Sequence, residues 1–144
     1  MLDPDERIAK VLGDNGYKAT PQRLCVARRV LEANDHPSAQ NIYEDVRRAN
    51  PTVSLSTVYN TLTLLRRLNL VHETLGPDSG RRFESNTRPH INLVCTRCGE
   101  IQDVDEPLME DALARLQAIT GFTRTDQCID VHGVCSRCAR APNR

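Results

Sequence analysis

Residues 54–84, SLSTVYNTLTLLRRLNLVHETLGPDSGRRFE, read as one helix followed by two short strands. Leu55, Val58, Leu62 and Leu65 recur at i, i+3, i+7 and i+10, the spacing of a single core-facing stripe. A turn of about 100° per residue places Ser56, Asn60, Thr63 and Arg67 on the opposite face, with Tyr59 and Arg66 along one flank. Ser54 and Ser56 open the helix, and the pattern carries it to about Asn69. Residues 70–75 and 81–84 then read as strands around Gly76-Pro77-Asp78-Ser79-Gly80. A helix that ends before a hairpin with basic residues beside its turn is the winged form of the helix-turn-helix plan. Short hydrogen-bonding groups, an aromatic ring and arginines are what such a helix offers to base edges, thymine methyls and phosphates. An ordinary solvated face is the competing reading of the helix alone; the hairpin tips the balance toward double-stranded DNA.

Upstream, residues 5–14 place Ile8, Val11 and Leu12 at helical spacing, with Gly13 and Gly16 closing the helix. Thr20-Pro21 reads as an N-cap and first helical residue of a second helix running to about Asn34, with Leu24, Ala27, Val30 and Leu31 inward. Ser38 caps a third helix with Ile42, Tyr43 and Val46 inward, stopping before Asn50-Pro51.

Downstream, Cys95-Thr96-Arg97-Cys98 is answered by Cys135-Ser136-Arg137-Cys138. Two CxxC turns complete the four-thiolate shell that a structural zinc favours, and a closed shell leaves no position for substrate. Disulfides or a dithiol redox centre are the alternatives; no signal peptide precedes them, and a cytoplasmic location is expected. Residues 91–94 and 100–104 flank the first pair as strands. A helix over 106–120 puts Leu108, Ala112, Leu113, Leu116 and Ile119 inward, and residues 122–134 form a last strand before the second pair. The fold expected is α+β: a winged helix-turn-helix domain over 1–84, then a small α/β dimerisation domain over 85–144 stapled by zinc. A frayed tail is expected from Arg140 onward.

Nineteen basic and nineteen acidic side chains cancel, so no global field advertises nucleic acid. Three Tyr, two Phe and no Trp make two modest cores, for which a metal and dimerisation are natural supplements. No apolar run approaches the roughly 20 residues that span a bilayer.

His36, Glu84, His90, Asn92 and Asp103 have no structural role that the pattern assigns. Two imidazoles, two carboxylates and an amide suit Fe(II) or Mn(II), one ion per subunit, whereas four thiolates suit zinc. Scattered surface polars are the competing reading. Cys128, Asp130 and His132 alternate onto one face of the last strand and are a minor candidate for a metal or redox site; Cys25 and Cys128 otherwise read as small buried thiols.

The residues His36-Pro37-Ser38-Ala39, Ile42-Tyr43, Ser54 through Leu62, Arg82-Phe83-Glu84 and both CxxC pairs resemble those of the ferric uptake regulator family. The likeness runs from Tyr17 to Cys138. It implies a homodimeric, metal-dependent transcription factor with no enzymatic activity, acting as a repressor on a palindromic AT-rich operator. By it, Lys18 approaches the minor groove and Tyr59 and Asn60 the major groove, with Ser56, Thr57, Thr63 and Arg67 completing the DNA-binding set. Asp103 is similar to the peroxide-sensing branch, in which Fe(II) and hydrogen peroxide oxidise a ligand histidine, here His36 or His90. Asn92 departs from that branch, where a histidine is expected. A further metal site of some members is degraded, with Pro89, Ile91 and Gln127 at ligand positions and Glu110 alone retained. Sensing of manganese, iron, zinc or nickel supply is the alternative within the family. A zinc-stapled thiol-redox or interaction protein is the alternative outside it.

Overall fold

The computed structural model describes residues 2–105, 107–123 and 128–141, which divide into two compact units. The first comprises Met1–Thr74 and Gly80–Thr87, the second Leu75–Ser79 and Arg88–Arg144.

The first unit holds α1 (Pro4–Asp14), α2 (Pro21–Leu31), α3 (Ala39–Ala49) and α4 (Leu55–Arg67); a hairpin pairs β1 (His72–Leu75) with β2 (Arg81–Glu84), its strands in the first unit except for Leu75, which with the turn residues 76–79 is grouped with the second. The helix starts are set by short polar side chains that accept orphan backbone N–H groups. Thr20 Oγ1 accepts from Arg23 N at 3.3 Å, Ser38 Oγ from Asn41 N at 3.1 Å and Ser54 Oγ from Thr57 N at 3.1 Å. Each such cap stabilises by about 1 kcal/mol. At Ser38 the bond is reciprocated by Asn41 Oδ1, which accepts from Ser38 N at 3.1 Å. Gly13 stays inside α1. The stop comes at Gly16, whose φ of +79° lets Tyr17 N donate back to the Leu12 carbonyl at 2.8 Å.

Leu12, Val26, Val30, Ile42, Val58, Leu62, Leu65 and Val71 are the fully buried aliphatic centre. Each contributes roughly 1.5–3 kcal/mol of apolar transfer. The stripe expected on α4 is buried, except that Leu55 is only partly so. On α2 the buried set is Val26, Ala27 and Val30, while Leu24 and Leu31 sit partly exposed at its margins. That helix packs against α1, α3 and α4, which shifts its covered face toward Val26.

The second unit contains β3 (His90–Cys95), β4 (Ile101–Val104), α5 (Pro107–Thr120), β5 (Cys128–Gly133) and α6 (Ser136–Arg140). Its sheet runs β4-β3-β5, with β3 antiparallel to β4 and parallel to β5. Parallel neighbours need a long crossover, and the segment carrying α5 supplies it. Gly121, at φ +69°, closes α5 as its N–H donates to the Gln117 carbonyl at 2.8 Å.

Three expectations change here. The apolar stripe of α5 is not inward: Leu116 is 50% and Ile119 82% exposed. Amphipathic periodicity says that a helix has a face to cover, not that the same chain covers it. Among the described residues the last strand spans Cys128–Gly133, and Phe122 and Thr123 are outside it; residues 124–127, with Gln127, lie outside the described residues, as do Glu106 and the side chain of Leu108. Arg140 belongs to a short helix rather than a tail, because Cys135 Sγ accepts from Cys138 N at its start.

Candidate metal and DNA sites

The four cysteines of the second unit converge. Their sulfur atoms all lie within 4.8 Å of one another, and Cys98 Sγ is 3.8 Å from Cys135 Sγ. A tetrahedron of sulfurs around zinc, at about 2.3 Å from the metal, has edges of about 3.8 Å, so the donor set fits the ion. The same spacing is far beyond the roughly 2 Å of a disulfide. Gly99 makes the first turn possible at φ +79°, where its N–H donates to the Cys95 carbonyl at 3.0 Å. The two turns are joined by Thr96 N to the Gly133 carbonyl at 2.8 Å, and each turn's arginine reaches the other. Arg97 Nη1 donates to the Cys138 carbonyl at 3.0 Å, while Arg137 Nη2 lies 2.9 Å from Glu100 Oε2 and 3.9 Å from Cys98 Sγ.

In the metal-free thiols, backbone N–H donation from Cys135 leads the effects that lower Cys95 to about 6. Cys138 is pushed up to about 12, chiefly by hydrogen bonding with the Cys135 sulfur. Zinc binding to four sulfurs displaces the thiol protons that remain. This is a structural zinc site, closed by four sulfurs.

The sheet of the same unit gathers polar residues on one face. Register places Asp103 of β4 and Asp130 of β5 on either side of Asn92, and Cys128 opposite His90. Alternation adds His132 to that face, as expected for Cys128, Asp130 and His132. His90 and Asn92 are 5% and 0% exposed. His90 Nδ1 is 2.7 Å from the Arg88 carbonyl, which can only accept, so this nitrogen carries a proton. His90 Nε2 is 3.2 Å from Asn92 Oδ1, and Asn92 Nδ2 donates to Asp130 Oδ1 at 3.1 Å. A ring held by its Nδ1–H on a carbonyl is the usual preparation of an imidazole that binds metal through Nε2. Asp130 is the residue whose part in this row the sequence pattern did not single out; its signal was the alternation with Cys128 and His132.

In the first unit His36 Nε2 lies 3.1 Å from Glu84 Oε2, with both side chains largely buried. They are brought together by the backbone: Phe83 N donates to the Pro37 carbonyl at 3.0 Å. The loop carrying His36 is braced by Arg29, which bonds Asp35 at 3.0 Å and Asp45 at 2.8 Å. That guanidinium holds the Asp35 carboxyl below its ordinary range. Of the five expected regulatory ligands, His36 and Glu84 belong to the first unit and His90, Asn92 and Asp103 to the second.

The α4 surface is as the periodicity requires. Ser56, Tyr59, Asn60, Thr63 and Arg67 are exposed, Thr57 is partly buried, and Lys18 is exposed ahead of α2. Thr57 and Asn60 line a recess of about 260 Å³ with Thr20, Gln22, Arg23 and Thr52, so the start of α2 shares a polar surface with α4. The hairpin is tied to α4 through Glu73, which bonds Arg66 at 2.6 Å and Arg81 at 3.2 Å. Among the described residues no helix is long and apolar enough to cross a membrane.

The peroxide-responsive repressor PerR of Staphylococcus epidermidis is 32% identical over 139 residues, covering 96% of this chain and 92% of that protein. The ferric uptake regulator of Vibrio cholerae superposes with a TM-score of 0.73 at 26% identity, covering 89% of this chain and 99% of its own. A zinc uptake regulator solved with zinc and DNA gives 0.67 at 26% identity, covering 94% and 92%. The pattern of the ferric uptake regulator family matches residues 14–139. The chain belongs to the ferric uptake regulator family, and it is a metal-responsive DNA-binding regulator rather than an enzyme.

Proposed function

We propose that the protein is a homodimeric repressor that senses hydrogen peroxide through a regulatory Fe(II) held by His36, Glu84, His90, Asn92 and Asp103. The observation that carries this reading is the His90 ring, anchored by its Nδ1–H to the Arg88 carbonyl so that Nε2 faces the Asn92 amide oxygen 3.2 Å away. In a neutral ring that nitrogen has no proton, and two lone pairs converge on a place suited to a cation. His36 and Glu84 supply a second imidazole and a carboxylate. The Staphylococcus relative, named for its peroxide response, supports the same assignment.

An Fe(II) held there would activate hydrogen peroxide beside the ligating imidazoles, the ring giving up the two electrons that reduce the peroxide; Mn(II) does not readily do this. His36 or His90 takes one oxygen atom of the peroxide and the other leaves as water. The oxidised ring is a poorer ligand, and loss of the ion releases DNA. Ser56, Thr57, Tyr59, Asn60, Thr63 and Arg67 present base-reading and phosphate-binding groups, and Lys18 adds a cation ahead of α2. A second copy covers Leu116, Ile119, Phe122, Leu93 and Val131, all at least 40% exposed in the single chain. Such a two-fold pair reads a palindrome.

Fluorescence anisotropy on a palindromic AT-rich duplex, with Fe(II) or Mn(II) and before and after stoichiometric peroxide, tests this. Only the iron form loses DNA, and the peptide carrying His36 or His90 gains 16 mass units, about one oxygen atom. A metal-supply sensor is the second reading, favoured by Asn92, an amide where the peroxide sensors have imidazole. Its signature is affinity that tracks one metal's concentration and ignores peroxide.

A further inference from the structure

Asn92 is the middle member of a row across three strands, between Asp103 and Asp130, and its side chain is fully buried. A carboxamide has one end that can hold a cation, its oxygen, and one that cannot, its NH2. The two ends have nearly the same shape, so packing alone does not choose between them. Asp130 does. An ionised carboxylate only accepts hydrogen bonds, so the end of Asn92 that meets Asp130 Oδ1 at 3.1 Å must be the NH2. The oxygen is thereby turned toward His90 Nε2. Asp130 is itself held, because its other oxygen accepts from Leu75 N at 3.3 Å. The bond to a carboxylate also polarises the amide and makes its oxygen a better donor to a cation.

We propose that Asp130 is the positioning residue of the regulatory metal site: it commits Asn92 to act as an oxygen ligand, and so biases the site toward Mn(II) and Fe(II) over Zn(II). This rests on the reading of His36, Glu84, His90, Asn92 and Asp103 as the regulatory ligands. Asp130 itself does not touch the ion. An oxygen in place of an imidazole nitrogen makes the donor set harder, which suits manganese and iron better than zinc.

The test uses the full chain with its four-cysteine site loaded with zinc. Mn(II) and Zn(II) titrations of the regulatory site are compared for wild type, Asp130→Ala, Asp130→Asn, Asn92→Ala and the Asp130→Ala/Asn92→Ala double variant. Nitrogen-15 NMR follows the Asn92 side-chain NH2 before metal is added. Asp130→Ala lowers Mn(II) affinity by roughly 10- to 100-fold, the usual effect of removing an outer-shell partner, and Zn(II) affinity by less. It also shifts the Asn92 NH2 resonances and speeds their exchange. In the Asn92→Ala background the same change adds no more than about twofold, because both act through one amide. Asp130→Asn keeps the shape while letting the amide pair run either way; it shows a smaller loss of the same sign, and it decides the matter should the alanine variant lose its structural zinc.

Wild-type Mn(II) affinity in Asp130→Asn and Asp130→Ala, or losses that multiply with Asn92→Ala, overturn the positioning role. His36→Ala separates the two levels. If it weakens Mn(II) binding while the Asp130 variants do not, only the inference about Asp130 fails. If it and Asp103→Ala both bind Mn(II) like wild type, the regulatory site itself is misassigned and the inference falls with it.

Discussion

The two units of this chain solve the same problem of burial differently. The first packs Leu12, Val26, Val30, Ile42, Val58, Leu62 and Leu65 to complete or near-complete exclusion of water. Among the described residues of the second, only Ile91, Val94 and Cys95 are buried apolar side chains, while Leu93, Leu116, Ile119, Phe122, Val131 and Val134 are at least 40% exposed. Four helices wrapped around one aliphatic centre are self-sufficient. A three-stranded sheet with one helix leaves apolar surface uncovered, for which a metal clip and a second copy are natural supplements. One unit has a closed aliphatic core, and the other leaves apolar surface exposed beside its four-cysteine cluster.

The largest way to break this contrast is to remove zinc. Structural zinc contributes on the order of 10–16 kcal/mol of coupled binding and folding at neutral pH. Cys98→Ser or chelation should therefore unfold the second unit and abolish dimerisation while helical circular dichroism from α1–α4 persists. Sedimentation and circular dichroism on the same sample check this; loss of both signals together would show that the first unit is not self-sufficient.

A matched pair sharpens the comparison next. Leu65 is 0% and Leu116 50% exposed, so Leu65→Ala should cost about 2–5 kcal/mol in urea unfolding through the cavity it leaves. Leu116→Asp should leave the first unit's transition unchanged and raise the dimer dissociation constant by about tenfold or more, the effect of a charge placed at an apolar interface. An undisturbed dimer in Leu116→Asp would remove this helix from the interface.

The smallest expected effect is local. Thr20→Ala removes the acceptor for Arg23 N and should cost about 1 kcal/mol. It should weaken DNA binding as well, since Thr20 lines the polar recess shared by α2 and α4. Thermal unfolding and anisotropy separate the two contributions.

Much of the first unit was legible because each signal in it is local. Thr20, Ser38 and Ser54 mark helix starts whose hydrogen bonds span three residues, and the α4 stripe follows from helical pitch alone. The four cysteines were legible for a related reason: a CxxC turn brings two sulfurs together before any tertiary contact forms. What misled was the α5 stripe, whose spacing is helical but which the described residues of the chain leave exposed at Leu116 and Ile119. Asp130 was visible only as one member of an alternating trio, with nothing to connect it to Asn92.

By itself, the sequence determined the helix boundaries near their caps, the hairpin around 76–80, the soft four-sulfur donor set and the polar face of α4, because periodicity, capping and turn chemistry act over a few residues. Tertiary structure decided which strands are neighbours. Only the parallel pairing of β3 with β5 sets Asp130 beside Asn92 across 38 residues of chain. That pairing chooses which end of a symmetric-looking amide meets an acceptor. No short-range rule carries such a choice, since it depends on two strands brought together by a crossover of the chain.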